Sequence, residues 1–121
     1  MIVLGVDYGT SKVGLAIGHT DTKVATPLSV VKPEDLAMKI ERLVETEGIN
    51  LVVFGLPLSL TGEETASAKA VKEFALKLEQ EISAPIVFED ERMTTSQAKR
   101  DGHDDAVAAM YLLQSYLDRN Y

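Results

Sequence analysis

Two short runs without a single polar residue, Ile2-Val3-Leu4-Gly5-Val6 and Leu51-Val52-Val53-Phe54-Gly55, constrain this chain more than anything else in it. Neither run alternates, which is the pattern of a strand covered on both faces. Strands of that kind lie inside a sheet and need helices packed against them. Between the two runs, Gly9-Thr10-Ser11 is a turn signal, and Val13-Gly14-Leu15-Ala16-Ile17 reads as the returning strand of a hairpin. Pro27-Leu28-Ser29-Val30-Val31 reads as a third strand. Pro33 suits a first helical position, and Leu36, Ile40, Leu43 and Val44 then recur at helical spacing until Gly48. Val71, Phe74, Ala75, Leu78 and Ile82 mark the inner face of a second helix over about Glu63 to Glu81, followed by the strand Ile86-Val87-Phe88. A short helix is expected over Thr94 to Arg100 and a long one over Asp104 to Leu117. The order βββαβαβα predicts an α/β fold: a mixed five-stranded sheet with helices on both faces, because parallel strands need crossovers.

With 121 residues, 45% of them apolar, one domain over residues 1–121 is expected. The absence of cysteine excludes disulfides, thiolate nucleophiles and sulfur-bound zinc, and fits the cytoplasm. No basic leader precedes the first strand, and no apolar run nears the roughly 20 residues of a membrane span, so no membrane association is expected. The net charge of −7 opposes a surface that grips phosphates broadly. A nucleic-acid partner then requires clustered basic residues, or metal ions that neutralise acids where the strand docks.

Open α/β sheets bind ligands beyond the carboxyl ends of their strands, which draws attention to Asp7 after the first run and Asp90-Glu91 after the last. Asp105 stands three or four residues apart, step by step, from Ala109, Leu112 and Tyr116, and so begins the inward face of the final helix. Three convergent carboxylates need cations, and oxygen-only ligation selects Mg²⁺ or Mn²⁺. Two such ions can drive in-line hydrolysis of a phosphodiester. The plain alternative is that these acids cap turns and helices, with Asp90 paired to Arg92. Gly9 and Ser11 sit in a turn whose N–H groups can face an anion, and Lys12 is either a phosphate contact or a solvated cation. His19 and His103 lack metal-ligand spacing, no histidine motif activates Ser59, Thr61, Thr94 or Thr95, and Tyr111 and Tyr116 are expected to pack within the last helix.

At these residues the chain resembles the YqgF/RuvX family, bacterial proteins similar to Holliday junction resolvases with a ribonuclease-H-like fold. Val6-Asp7-Tyr8-Gly9 with Val13-Gly14-Leu15-Ala16, Ala25-Thr26-Pro27-Leu28, Val53-Phe54-Gly55-Leu56-Pro57 with Gly62, Asp90-Glu91-Arg92-Met93-Thr94-Thr95, and Asp105-Ala106-Val107-Ala108-Ala109 carry the likeness in order. It implies a metal-dependent nuclease with Asp7, Glu91 and Asp105 as catalytic ligands of a two-ion Mg²⁺ or Mn²⁺ site. Gly9, Ser11, Lys12, Arg92, Thr94, Thr95, Lys99 and Arg100 are then the nucleic-acid contacts. The implied substrate is the 5′ end of the small-subunit (16S) ribosomal RNA precursor, or else branched DNA, met by a monomer or weak homodimer. The chain departs from the family pattern where Ser11 precedes Lys12, where Ser59 and Thr61 stand in the central loop, and where only Ser96 to Asp104 separate the Asp-Glu-Arg motif from Asp105.

Two other classes compete. Asp7-Tyr8-Gly9-Thr10-Ser11 also resembles the phosphate loop of sugar kinases and actin-like ATPases, which close two such domains around a nucleotide. A noncatalytic module that docks on nucleic acid, a ribosomal partner or a transcription partner would use the same acids structurally.

Overall fold

The computed structural model describes residues 1–59, 61–91 and 105–121. Five strands, β1 (Ile2–Asp7), β2 (Val13–His19), β3 (Val24–Val31), β4 (Leu51–Leu56) and β5 (Ile86–Asp90), form one sheet in the order β3-β2-β1-β4-β5. β1 runs antiparallel to β2 and parallel to β4, and β5 runs parallel to β4. The two unbroken apolar runs, β1 and β4, are thus two of the three strands with a neighbour on each side, β2 being the third. Val3, Leu4, Val6, Val52, Val53 and Phe54 are fully buried.

Among the described residues three α-helices cover the sheet: α1 (Leu36–Glu47) and α2 (Ala66–Glu79) on one face and α3 (Asp105–Asn120) on the other. The first layer buries Leu4, Val6, Val13, Leu15 and Phe54 against Leu36, Ile40 and Leu43 of α1 and Val71, Ala75 and Leu78 of α2. The second sets Val3, Ala16 and Val53 against Ala109, Leu113 and Leu117. Each large side chain buried this way contributes about 1.5–3 kcal/mol. Among the described residues no helix is long and apolar enough to cross a membrane.

Several boundaries differ from expectation for local reasons. β3 begins at Val24 rather than Pro27; it is an edge strand, where the missing N–H of Pro27 is tolerated, and its register shifts opposite Leu15/Ala16. Pro33 opens a 3₁₀ turn (Pro33–Asp35) and α1 proper starts at Leu36, ending as expected at Gly48, whose φ of 65° is left-handed. α2 starts at Ala66 instead of Glu63 because Thr65 is its cap: the Thr65 hydroxyl donates to the Pro57 carbonyl at 2.7 Å and accepts from the Ala68 N–H at 3.1 Å. The expected end at Glu81 gives way to Glu79. α3 runs three residues past Leu117, to Asn120, while its expected first residue, Asp104, lies outside the described residues. Tyr116 packs half-buried against the second layer, whereas Tyr111, expected to pack, is exposed on the outer side of α3. The expected helix over Thr94 to Arg100 lies outside the described residues.

Candidate active site at the carboxyl end of the sheet

Three glycines decide where the carboxylates stand. Gly14 is the ladder partner of Asp7, and a Cβ on it would lie 1.8 Å from the carbonyl oxygen of Asp105 and 2.2 Å from its carbonyl carbon. Only a hydrogen permits that approach, so α3 begins directly on β2 beside Asp7. Gly5 admits the helix further along, where a Cβ would meet that of Leu113 at 2.8 Å. On Gly55 of β4 a Cβ would fall 2.7–2.8 Å from the Cγ, Cδ and Oε1 atoms of Glu91, so that side chain folds back over β4. Glycine weakens a strand interior unless another group must come this close; here the groups that come close are the Leu113 side chain, the Asp105 backbone and the Glu91 side chain.

Strand alternation puts Asp7, Gly14 and Gly55 on the face that α3 covers, and the side chain of Glu91, one residue past β5, lies over Gly55. Asp7 is 5% exposed and Glu91 6%, while Asp105 is half-buried at the first position of α3. Among the described residues the Asp7 carboxylate has no ion pair and no side-chain hydrogen bond. An ionised carboxylate so placed costs several kcal/mol unless a cation compensates it. The donors are all carboxylate oxygens, a set that suits Mg²⁺ or Mn²⁺. No group of three or more metal-binding side chains is gathered into a cluster among the described residues. The fold therefore brings the Asp7, Glu91 and Asp105 backbone positions to one end of one face, while their side chains stop short of a common point.

The Tyr8–Lys12 turn borders these acids. A Cβ on Gly9 would stand 2.4 Å from the Lys12 carbonyl oxygen, so glycine closes the turn. Gly9 is half-buried, whereas Ser11 and Lys12 are exposed, the latter as a solvated cation at the rim. A cavity of about 230 Å³ opens beside Glu91, walled by Tyr8, Gly9, Thr10, Pro57, Ser67 and Ala70. Ser59 and Thr61 are bonded to each other at 2.9 Å, and Ser59 Oγ accepts the Glu63 N–H at 3.1 Å, which assigns them to holding the central loop. Arg92, Thr94, Thr95, Lys99 and Arg100, expected to contact nucleic acid, lie outside the described residues, as do Asp104 and His103.

Glu89 is the functional neighbour that the sequence reading missed. It is 3% exposed, accepts from Ser115 Oγ at 3.1 Å and pairs with the Arg119 guanidinium, tying edge strand β5 to α3 two residues before Glu91. Its period-two relation to Val87 on the same strand, which sets it on the face that α3 covers, is the signal that could have revealed it. Burial, the Tyr121 phenol and then the Glu89 carboxylate push the Tyr116 phenol above its ordinary value.

The chain matches, over residues 1–119, the model of the family described as RuvX: Holliday junction resolvase. A relative from Chloroflexus aurantiacus, named "Putative pre-16S rRNA nuclease", is 36% identical over an alignment covering 97% of this chain and 86% of the relative. One of the same name from Shewanella denitrificans is 34% identical, covering 98% and 95%. The first alignment spans 132 positions against the 121 residues of this chain, so the relative carries residues that this chain lacks. Among solved structures, Thermus thermophilus RuvC in complex with a Holliday junction substrate superposes with a TM-score of 0.62 at 16% identity, covering 98% of this chain and 94% of the other. The fowlpox virus resolvase in complex with Holliday junction DNA gives 0.61 at 10%, covering 98% of both. At such identities the likeness concerns the fold, and it bears out the expected mixed five-stranded sheet.

Proposed function

Since the chain belongs to the RuvX family of Holliday junction resolvases, we propose that it is a nuclease whose divalent metal ions are held by Asp7, Glu91 and Asp105, and that it processes the 5′ end of precursor 16S ribosomal RNA. The reading is carried by one observation: two carboxylates more than nine-tenths buried, Asp7 and Glu91, share a sheet face with the start of α3. Magnesium or manganese bound there supplies neutralisation of the phosphate, activation of water and stabilisation of the departing oxygen. The protein supplies position. β1 fixes Asp7 in the sheet, Gly55 admits the Glu91 side chain, and Gly14 fixes the register of Asp105.

Backbone N–H groups of the turn at Gly9 and Ser11 are assigned to a phosphate oxygen, with Lys12 as a screened contact to a neighbouring phosphate. Arg92, Thr94, Thr95, Lys99 and Arg100 take the remaining strand contacts in this reading, as cations and hydroxyls following the catalytic Glu91 in sequence. The ions also reconcile a net charge of −7 with a polyanionic substrate, since they neutralise the acids where the strand docks. The names of the relatives favour RNA. Paired cutting of a four-way junction would need two copies about a two-fold axis, and the state assigned here is a monomer or weak homodimer, one domain acting in the cytoplasm.

The test is to incubate purified protein with precursor ribosomal RNA and with four-way DNA junctions in Mg²⁺ or Mn²⁺, beside Asp7→Asn and Glu91→Gln. Cleavage of the RNA that a chelator abolishes and both variants lose is expected. Variants that cut as fast as the parent would remove the site, and junction cleavage alone would transfer the assignment to DNA.

A further inference from the structure

The apolar side of the cavity beside Glu91, walled by Tyr8, Pro57 and Ala70, is not used by the chemistry above. We propose that it receives one unstacked nucleobase, from a nucleotide flanking the cleaved phosphodiester, and that the protein thereby selects strands unpaired at the cut. This rests on the nuclease reading and narrows its substrate class.

Size is the first argument. At about 230 Å³ the cavity lies below the roughly 300–1,000 Å³ of clefts that take drug-sized ligands, which limits an occupant to a small ring system. Wall chemistry is the second. Among the described residues Tyr8, Pro57 and Ala70 of the wall offer apolar surface to a flat heterocycle. Tyr8 is held from behind: its ring packs on Phe74 at 5.3 Å between centroids, and Phe74 packs on Phe54 at 6.0 Å. A platform fixed by packing loses little freedom when a base stacks on it.

Base identity is not specified by this wall. Thr10 and Ser67, both exposed, are the hydroxyl residues of the wall among the described residues, and a hydroxyl donates or accepts equally well. What the cavity discriminates is pairing, because a base inside a duplex must first unstack at a cost of a few kcal/mol. Glu91 sets the location: it belongs both to the cavity wall and to the carboxylate set over Gly55, so a base seated here lies next to the reacting phosphate.

The experiment uses single-stranded oligonucleotides carrying 2-aminopurine at successive positions, bound to the full chain in Mn²⁺ and followed by fluorescence, beside Ala70→Leu, Tyr8→Ala and Tyr8→Phe. Ala70 is exposed on α2, so leucine there fills the cavity without entering the core. One labelled position should respond on binding to the parent chain and to Tyr8→Phe. That response should vanish in Ala70→Leu, and Tyr8→Ala should bind about 5- to 160-fold more weakly, the range of one base–aromatic stack. An abasic nucleotide at the responding position should weaken binding to the parent and leave Ala70→Leu unaffected. If Ala70→Leu binds as tightly as the parent with the same fluorescence response, or if the parent binds no single strand, the proposal is overturned. Fluorescence is read without turnover, so a specific response with no cleavage supports the cavity and sinks the nuclease, while cleavage with no responding position does the reverse.

Discussion

Gly14→Ala tests the link between packing and site most directly. The added Cβ would lie 1.8 Å from the Asp105 carbonyl oxygen where ordinary contact begins at 3.4 Å, so about 1.6 Å must open between β2 and the first turn of α3. The obstructing atoms are backbone on both sides, and no side-chain rotation relieves them. Backing the helix off loosens the layer in which Ala109, Leu113 and Leu117 are fully buried against the sheet. Overpacking of this kind costs about 1–3 kcal/mol. The effect on activity should be larger, since a displacement of about 1 Å at a catalytic group costs on the order of 100-fold in rate. Urea unfolding followed by circular dichroism gives the first quantity, and chelator-sensitive cleavage of precursor RNA the second. Gly48→Ala is the control: its φ of +65° makes alanine strained by about 1–2 kcal/mol, yet nothing lies within 4 Å of its Cβ and it is remote from the acids. Comparable destabilisation with full activity is expected there. A Gly14→Ala protein as stable and as active as the parent would refute the claim that this glycine sets the position of Asp105.

Asp7→Asn should abolish cleavage while leaving stability equal or raising it by on the order of 1 kcal/mol, because it removes a buried charge with no cationic partner among the described residues; a large loss of stability by urea unfolding would show that Asp7 is structural. Asp105→Asn should lose cleavage and Asp104→Asn retain more, and the reverse ranking in the RNA assay would shift the third ligand to Asp104. Arg119→Ala should destabilise by about 1–3 kcal/mol, a range lowered because the arginine is 59% exposed, since it strands the buried Glu89 carboxylate; Glu89→Gln, which keeps the shape and removes the charge, should cost less in the same measurement. The Tyr116 phenol should ionise above the ordinary tyrosine value of 10.0, so its contribution to stability is fully present below that pH and declines as pH rises through the folded-state value. Absorbance titration near 295 nm, compared with Tyr116→Phe, reads that midpoint, and a Tyr116 titration below 10 would contradict the burial that raises it.

How much of this molecule its sequence determined depends on the range of the interaction involved. Ile2–Val6 and Leu51–Gly55 announced interior strands because burial on both faces leaves no place for a polar residue, and that requirement is written locally. Asp7 stands out for the same reason, as an acid at the end of such a strand, and Glu91 stands out as an acid that follows the apolar run of edge strand β5. The caps were half legible, since Thr65 became the start of α2 only through its bond to Pro57, eight residues away. Tertiary structure alone decided which glycines matter, because Gly14 and Gly55 look like weak strand residues until the Asp105 backbone and the Glu91 side chain are seen against them. It alone paired Glu89 with Ser115 and Arg119 across more than twenty residues, and alone showed that the three carboxylates share a face without closing into a cluster. Periodicity and strand-end chemistry are properties of neighbours along the chain; close approach and charge pairing are properties of surfaces that meet only after the chain has folded.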